Sequence, residues 1–143
     1  MYGVDARKAL VAGISALADV GQKTLGPGGR NIAIDYEAGE PKITKDGVTV
    51  LKSLYLGERE KEMGSKLLKR STGSTNIFAG DGTTTSSILS REILTRGNNA
   101  IEFEGAHPVA LKRGLDKSLQ VVSAFLKEIS MPVTTQQEVF NVC

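Results

Sequence analysis

A chain of 143 residues, 40% hydrophobic and 24% charged, has the size and composition of one globular domain and none of the bias that marks disorder. Lys and Arg number 18 against 16 Asp and Glu, interspersed along the chain, so there is no basic stripe and no nucleic-acid partner is expected. No apolar run approaches the roughly 20 residues that cross a bilayer and no signal-peptide pattern opens the chain, so no membrane partner is expected; the lone Cys143 can close no internal disulfide.

Taken in order, the first predicted element runs from about Asp5 to Lys23. Leu10, Val11, Ile14, Leu17 and Ala18 recur at three and four residues and make one face of an amphipathic helix, with Asp5 available as its cap. Thr24-Leu25-Gly26-Pro27-Gly28-Gly29-Arg30 stops it, since proline and three glycines end a helix and let a backbone approach closely; a glycine-rich turn and a ligand loop both fit these residues. Asn31–Asp35 alternates as a strand, Glu37–Pro41 reads as a loop, and Lys42-Ile43-Thr44 returns to make a small hairpin. Lys45-Asp46-Gly47 is then a charged turn, with Lys45 suited to a phosphate and Asp46 to a metal or an attacking water, though an ordinary surface turn fits as well. Val48 to Leu54 carries a mixed helix and strand pattern.

Glu58 to Phe78 is predicted as a long helix with a solvated, charge-mixed start and an apolar stripe of Met63, Leu67 and Leu68; its end, Ser71–Asn76, is left undecided between helix and loop. A further helix runs from Thr83 to about Thr95 and is expected to stop at Arg96-Gly97-Asn98-Asn99. His107-Pro108 opens the next, where Leu111, Leu115, Leu119, Val122, Leu126 and Ile129 form the cleanest stripe in the chain and predict a core helix. His107 is read as a surface or capping residue. Met131-Pro132 breaks the pattern, and Thr135-Gln136-Gln137-Glu138 has the spacing of a capping box. Met1 abuts a helical pattern and Val139–Cys143 stops inside one, so a piece of a longer protein is expected.

Between the two middle helices lies Ala79-Gly80-Asp81-Gly82-Thr83-Thr84-Thr85. Two glycines let the backbone turn sharply, and three hydroxyl residues open a helix whose first amides and dipole favour an anion. A carboxylate beside a phosphate seat would repel the ligand unless a divalent cation lay between them, which makes Asp81 a candidate magnesium ligand. A plain helix cap by Asp81 or a threonine also fits the stretch.

Three turns, around Gly26, Asp46 and Asp81, thus carry glycine, hydroxyls or charge at the edges of helices and strands. In this order and spacing, together with Ala6-Arg7, Pro41–Val50 and Pro108-Val109-Ala110-Leu111-Lys112-Arg113-Gly114, they resemble the nucleotide-binding half of the equatorial domain of group I chaperonins, the GroEL family. The resemblance implies a mainly α fold, an equatorial-domain-like helical bundle with a small β-hairpin. It also implies that residues 1–133 are the N-terminal half of that domain and 134–143 the start of the hinge domain. By the same resemblance Thr24, Leu25, Gly26, Pro27 and Lys45 would meet ATP. Gly82, Thr83, Thr84 and Thr85 would hold its phosphates, Asp81 would ligate Mg2+, and Asp46 would lie near the γ-phosphate in an assisting role.

Partners implied are like subunits in heptameric rings, a lid-like co-chaperonin and non-native client proteins, in the mitochondrial matrix or else in bacterial cytoplasm or plastid stroma. In the family the carboxylate that activates water, part of the adenine pocket, the hinge and the client-binding surface come from later in the chain, so residues 1–143 are expected to bind Mg-ATP weakly, to turn none over, and to expose apolar surface. Gly28 stands where the family usually has a basic residue, and Ile77-Phe78 where its approach to the phosphate turn is more polar. A freestanding helical nucleotide- or anion-binding module and an interaction scaffold that binds no nucleotide are the two other readings of the residues.

Overall fold

The computed structural model describes residues 3–36 and 39–142, with no account of the side chain of Val142; Met1, Glu37, Ala38 and Cys143, named above, lie outside the described residues. The fold is mainly α with one two-stranded antiparallel sheet, in the order α1 (Gly3–Gln22), β1 (Ile32–Ile34), β2 (Lys42–Thr44), α2 (Gly47–Ser53), α3 (Arg59–Ala79), α4 (Thr83–Phe103), α5 (Pro108–Ile129) and α6 (Gln136–Val142). The chain divides into two compact units, one up to Ala100 and one from Ile101.

In the first unit the core is Ile14, Leu17 and Ala18 of α1 with Leu51 of α2 and Leu68 of α3, and Leu54 packs against it. Helices α1 and α3 touch backbone to backbone: a Cβ on Gly13 would strike the Lys61 carbonyl, and one on Gly64 the Leu10 carbonyl. The two helices therefore run antiparallel, and the contact explains why α3 buries Glu62, Gly64, Ser65, Leu68 and Thr72. A crossing this close admits only small or slender side chains, so Met63 and Leu67, expected on the stripe with Leu68, are turned out and exposed. Glu62, expected in solvent, is buried and accepts from the Leu56 amide at 3.1 Å; Lys69 Nζ donates to the Leu54 carbonyl at 2.5 Å. Together they hold the connector between α2 and α3 down on α3.

Other expectations are corrected. Asp5 lies inside the first turn of α1, where an acidic side chain favours the dipole, and is not its cap. Residues 47–53 are helix, because Asp46 caps them and Val50 and Leu51 reach the core together only at helical spacing. The hairpin, by contrast, forms as expected and pairs Ile32 with Thr44, Ala33 with Ile43 and Ile34 with Lys42. Helix α3 continues through its hydroxyl-rich end to Ala79, where the Ser74 and Thr75 hydroxyls donate back to the carbonyls of Arg70 and Ser71.

Helix α4 runs through Gly97-Asn98-Asn99. Gly97 keeps a negative φ, and one internal glycine costs about 1 kcal/mol, too little to end a helix whose hydrogen bonds continue on both sides. The turn comes instead at Gly105, φ 69°. In α4 the buried side chains are Thr83 and Ser87, while Leu89 and Ile93 are exposed.

In the second unit, His107 caps α5 by accepting from the Val109 amide at 3.3 Å, with Pro108 at the first position. The capping box of α6 forms as its spacing predicts: Thr135 Oγ1 accepts from the Glu138 amide at 3.3 Å, and Glu138 Oε2 accepts from the Thr135 amide at 2.9 Å. Helix α5, expected to be core, buries none of its residues; Leu115, Leu119, Val122, Leu126 and Ile129 are all exposed. Its periodicity makes an apolar face, and nothing among the described residues of its unit encloses that face.

Candidate functional site: a cleft at the start of α4

Local sequence builds each wall. The first wall begins where α3 stops: Gly80 takes φ 73° and returns its amide to the Asn76 carbonyl at 3.0 Å, a left-handed cap that a side chain would strain. Gly82 follows at φ 79°, so the chain reverses around Asp81 and enters α4 at Thr83. The Ser86 amide bonds the Gly82 carbonyl at 2.8 Å, which leaves the amides of Thr83, Thr84 and Thr85 as the first-turn donors with no helical carbonyl to meet. Asp81 is exposed, and its Oδ1 accepts from the Gly82 amide at 2.6 Å. Thr75 Oγ1 and Ser86 Oγ, 3.1 Å apart, tie the end of α3 to the start of α4.

The second wall is the start of α2. Asp46 Oδ1 accepts from the Val48 amide at 3.2 Å, and Oδ2 accepts from the Thr49 amide at 3.1 Å and the Thr49 hydroxyl at 2.5 Å. The Thr49 hydroxyl is the main reason the Asp46 carboxyl lies below its ordinary value of 3.8; partial burial opposes it, and the two amides and Lys42 assist. Both oxygens of Asp46 are thus engaged in a helix cap. The Asp46 amide in turn donates to Thr44 Oγ1 at 3.1 Å, which fixes the turn to the end of the hairpin.

The third wall is the turn after α1. Thr24 is buried and its hydroxyl donates to the Gly21 carbonyl at 2.8 Å, while the Thr24 and Leu25 amides return to Gly21 and Gln22 at 3.0 and 3.2 Å. Gly26 takes φ 72°, and the Gly29 amide closes on its carbonyl at 3.0 Å.

These turns converge on one cleft of about 200 Å3, lined by Leu25, Lys45, Asp46, Gly47, Val48, Asp81, Gly82, Thr83, Thr84 and Thr85. Of the four residues expected from the first turn only Leu25 lines it. Thr24 lies beneath, turned inward to Gly21, and the exposed Gly26 and Pro27 stand off the lining. Gly47, which the sequence reading did not single out as a site residue, is where all three turns meet: a Cβ there would collide with Thr84 Oγ1 and lie 3.3 Å from Thr24 Oγ1. Its signal in the sequence is only the tripeptide Lys-Asp-Gly; the reason a glycine is required there is a contact with residues far along the chain.

Chemically the cleft offers an oxyanion three first-turn amides, three threonine hydroxyls and the exposed ammonium of Lys45. Among the described residues no group of three or more His, Cys, Asp or Glu side chains is placed to hold a metal by itself. Asp81 beside an oxyanion seat nevertheless fits magnesium, which takes one or two carboxylates and fills its other positions with phosphate oxygens and water.

A mainly helical fold with a Gly-Asp-Gly turn leading into a threonine-rich helix start gathers amides and hydroxyls of the kind that suit an oxyanion. Residues 17–143 match the model of the TCP-1/cpn60 chaperonin family. Relatives include the mitochondrial chaperonin CPN60 of Euglena gracilis, 42% identical over 142 residues, and chaperonin GroEL 2 of Cereibacter sphaeroides, 41% identical over 141 residues; each alignment covers 99% of this chain. The chain belongs to the TCP-1/cpn60 chaperonin family, as the N-terminal equatorial region of a group I chaperonin. It spans about a quarter of the length of these relatives, 25% and 26%.

Proposed function

We propose that this chain carries the phosphate- and magnesium-contacting part of a chaperonin ATP site and serves an ATP-dependent chaperone that folds non-native proteins. The observation that supports the reading is the convergence of Lys45, Gly47 and the Asp81–Thr85 turn on one cleft at the first turn of α4. In it the Thr83–Thr85 amides and hydroxyls hold phosphate oxygens, and Lys45 balances their charge. Asp81, whose Oδ1 accepts from the Gly82 amide, would hold magnesium, which would screen its carboxylate from the phosphates. Asp46 keeps α2 in register with the cleft, so its assisting role is structural positioning of Lys45 and Gly47.

Residues 1–133 belong in this proposal to the equatorial half-domain and 134–143 to the start of the hinge. Like subunits in heptameric rings, a co-chaperonin lid and non-native clients are the proposed partners. The compartment is the mitochondrial matrix, the organelle in the name of the Euglena relative, with bacterial cytoplasm the alternative that GroEL 2 of Cereibacter supports. Titration of the 143-residue chain with Mg-ATP should shift the amide resonances of Gly82, Thr83, Thr84 and Thr85, weakly, and Asp81→Ala should remove the shifts. No hydrolysis is expected from the chain alone. Absence of those shifts at saturating Mg-ATP would refute the ATP reading, and steady-state turnover abolished by Asp81→Ala would refute the inactivity.

A further inference from the structure

Helix α4 must be held at a fixed distance from the end of α1, because the first turn of α4 carries the oxyanion donors and the residue three beyond the end of α1 is Leu25, which lines the same cleft. What holds them is sparse. The facing residues are Gly21 and Ser87: a Cβ on Gly21 would come 3.6 Å from Ser87 Oγ, and both residues are buried. Glycine against serine removes little apolar surface from water, and apolar burial contributes only about 25 cal/mol per Å2, so packing here is a weak restraint.

One turn beyond Ser87 on the same face stands Arg91. Its Nη1 donates to Asp19 Oδ1 and, at 3.0 Å, to Gln22 Oε1, both in the last turn of α1; its Nη2 meets Glu92 Oε1 at 3.1 Å. The guanidinium side chain is only 16% exposed, although Asp19 and Glu92 are far more open. Nη1 bridges to two acceptors on α1 while Nη2 is held by Glu92 on α4 itself, so the guanidinium plane is oriented as it spans the helices, which a flexible surface pair is not. None of Asp19, Gln22 and Arg91 lines the cleft.

We propose that Arg91 is a positioning residue for phosphate binding: by clamping α4 to Asp19 and Gln22 it sets the gap between Leu25 and the Thr83–Thr85 amides. The inference rests on the ATP reading above and extends it to a side chain that touches no ligand. Misaligning one donor to a charged ligand costs about as much as losing one such hydrogen bond, so loss of the clamp is expected to weaken Mg-ATP by about tenfold.

The test is Mg-ATP titration of the full chain, followed at the Gly82–Thr85 amides, for the unmodified protein, Arg91→Ala, Arg91→Lys, Asp19→Asn and the Arg91→Ala/Asp19→Asn pair, each shown by circular dichroism and urea titration to be folded. Arg91→Ala and Asp19→Asn should each weaken binding about tenfold, the pair no more than the worse single variant, and Arg91→Lys should recover part of the loss, since an ammonium keeps the Asp19 contact without the fork. Asp19 is exposed, so its variant reports on the clamp even where Arg91→Ala unfolds. Unchanged affinity in Asp19→Asn and Arg91→Lys, or losses that add in the pair, would overturn the clamp while leaving the ATP reading standing. Absence of shifts in the unmodified protein would overturn both.

Discussion

Gly47→Ala isolates the point where the three turns meet. A methyl group at Gly47 collides with Thr84 Oγ1 and comes to 3.3 Å from Thr24 Oγ1, so one of three things must move. Thr24 cannot easily give way, because it is buried and hydrogen-bonded to Gly21. Helix α2 is anchored by the Asp46 cap and by Val50 and Leu51 in the core. Thr84 has the freedom: rotation about one bond relieves the clash and costs about 1 kcal/mol in an off-rotamer side chain. Alanine in a helix is favoured over glycine by up to about 1 kcal/mol, so the two effects nearly cancel in stability.

Binding is not compensated, because Thr84 is a wall of the cleft. Misdirecting one hydroxyl donor is expected to weaken Mg-ATP by about tenfold, about 1.4 kcal/mol. Urea denaturation should therefore show a midpoint close to that of the unmodified chain while NMR titration shows the weaker site. Unchanged affinity would refute the convergence of the turns as the ligand site. A stability loss above about 2 kcal/mol would show that α2, not Thr84, yields.

The glycines of the helix pair make a contrast: Gly13→Ala drives a methyl into the Lys61 carbonyl and should destabilise by about 1–3 kcal/mol, whereas Gly114→Ala, in open space on α5, should stabilise by up to about 1 kcal/mol, both read from urea midpoints. Asp46→Ala removes the α2 cap and should cost about 1 kcal/mol. Because the folded Asp46 carboxyl titrates below 3.8, its contribution is fully present above about pH 4 and is lost as pH falls through the folded value; in Asp46→Ala that part of the acid dependence should vanish from stability measured across this range. Glu138, held down mainly by the Thr134 amide and then by Thr135, should titrate near 2 in place of 4.5 by carboxyl-carbon NMR, and Thr135→Ala should raise its midpoint. The exposed α5 face should drive association that grows with concentration in sedimentation runs and weakens in Leu119→Lys; a stable monomer at high concentration would refute its apolar character as the cause.

Much of the local architecture was legible in residue order because its causes lie within four residues. The Thr135–Glu138 box, Pro108 after His107, and the glycines at Gly80 and Gly82 each solve a hydrogen-bonding or dihedral problem posed by near neighbours, and the structure uses them as their types predict. The resemblance carried by the three turns likewise needs only their order and spacing, and family membership follows from the same linear information.

Tertiary structure alone decided which face of each helix is buried and what each turn touches. Periodicity marks an apolar stripe but not its partner, so of Met63, Leu67 and Leu68 only Leu68 is buried, on the face of α3 that it shares with Gly64, Ser65 and Thr72. The close crossing of α1 on α3 rewards the absence of a side chain, which carries no hydrophobic signal. Gly47 and Arg91 were invisible for the same reason: one needs Thr84 and the other Asp19 and Gln22, residues 37, 72 and 69 positions away. Contacts at such separations exist only after the helices have packed, so the composition around each residue says nothing of them.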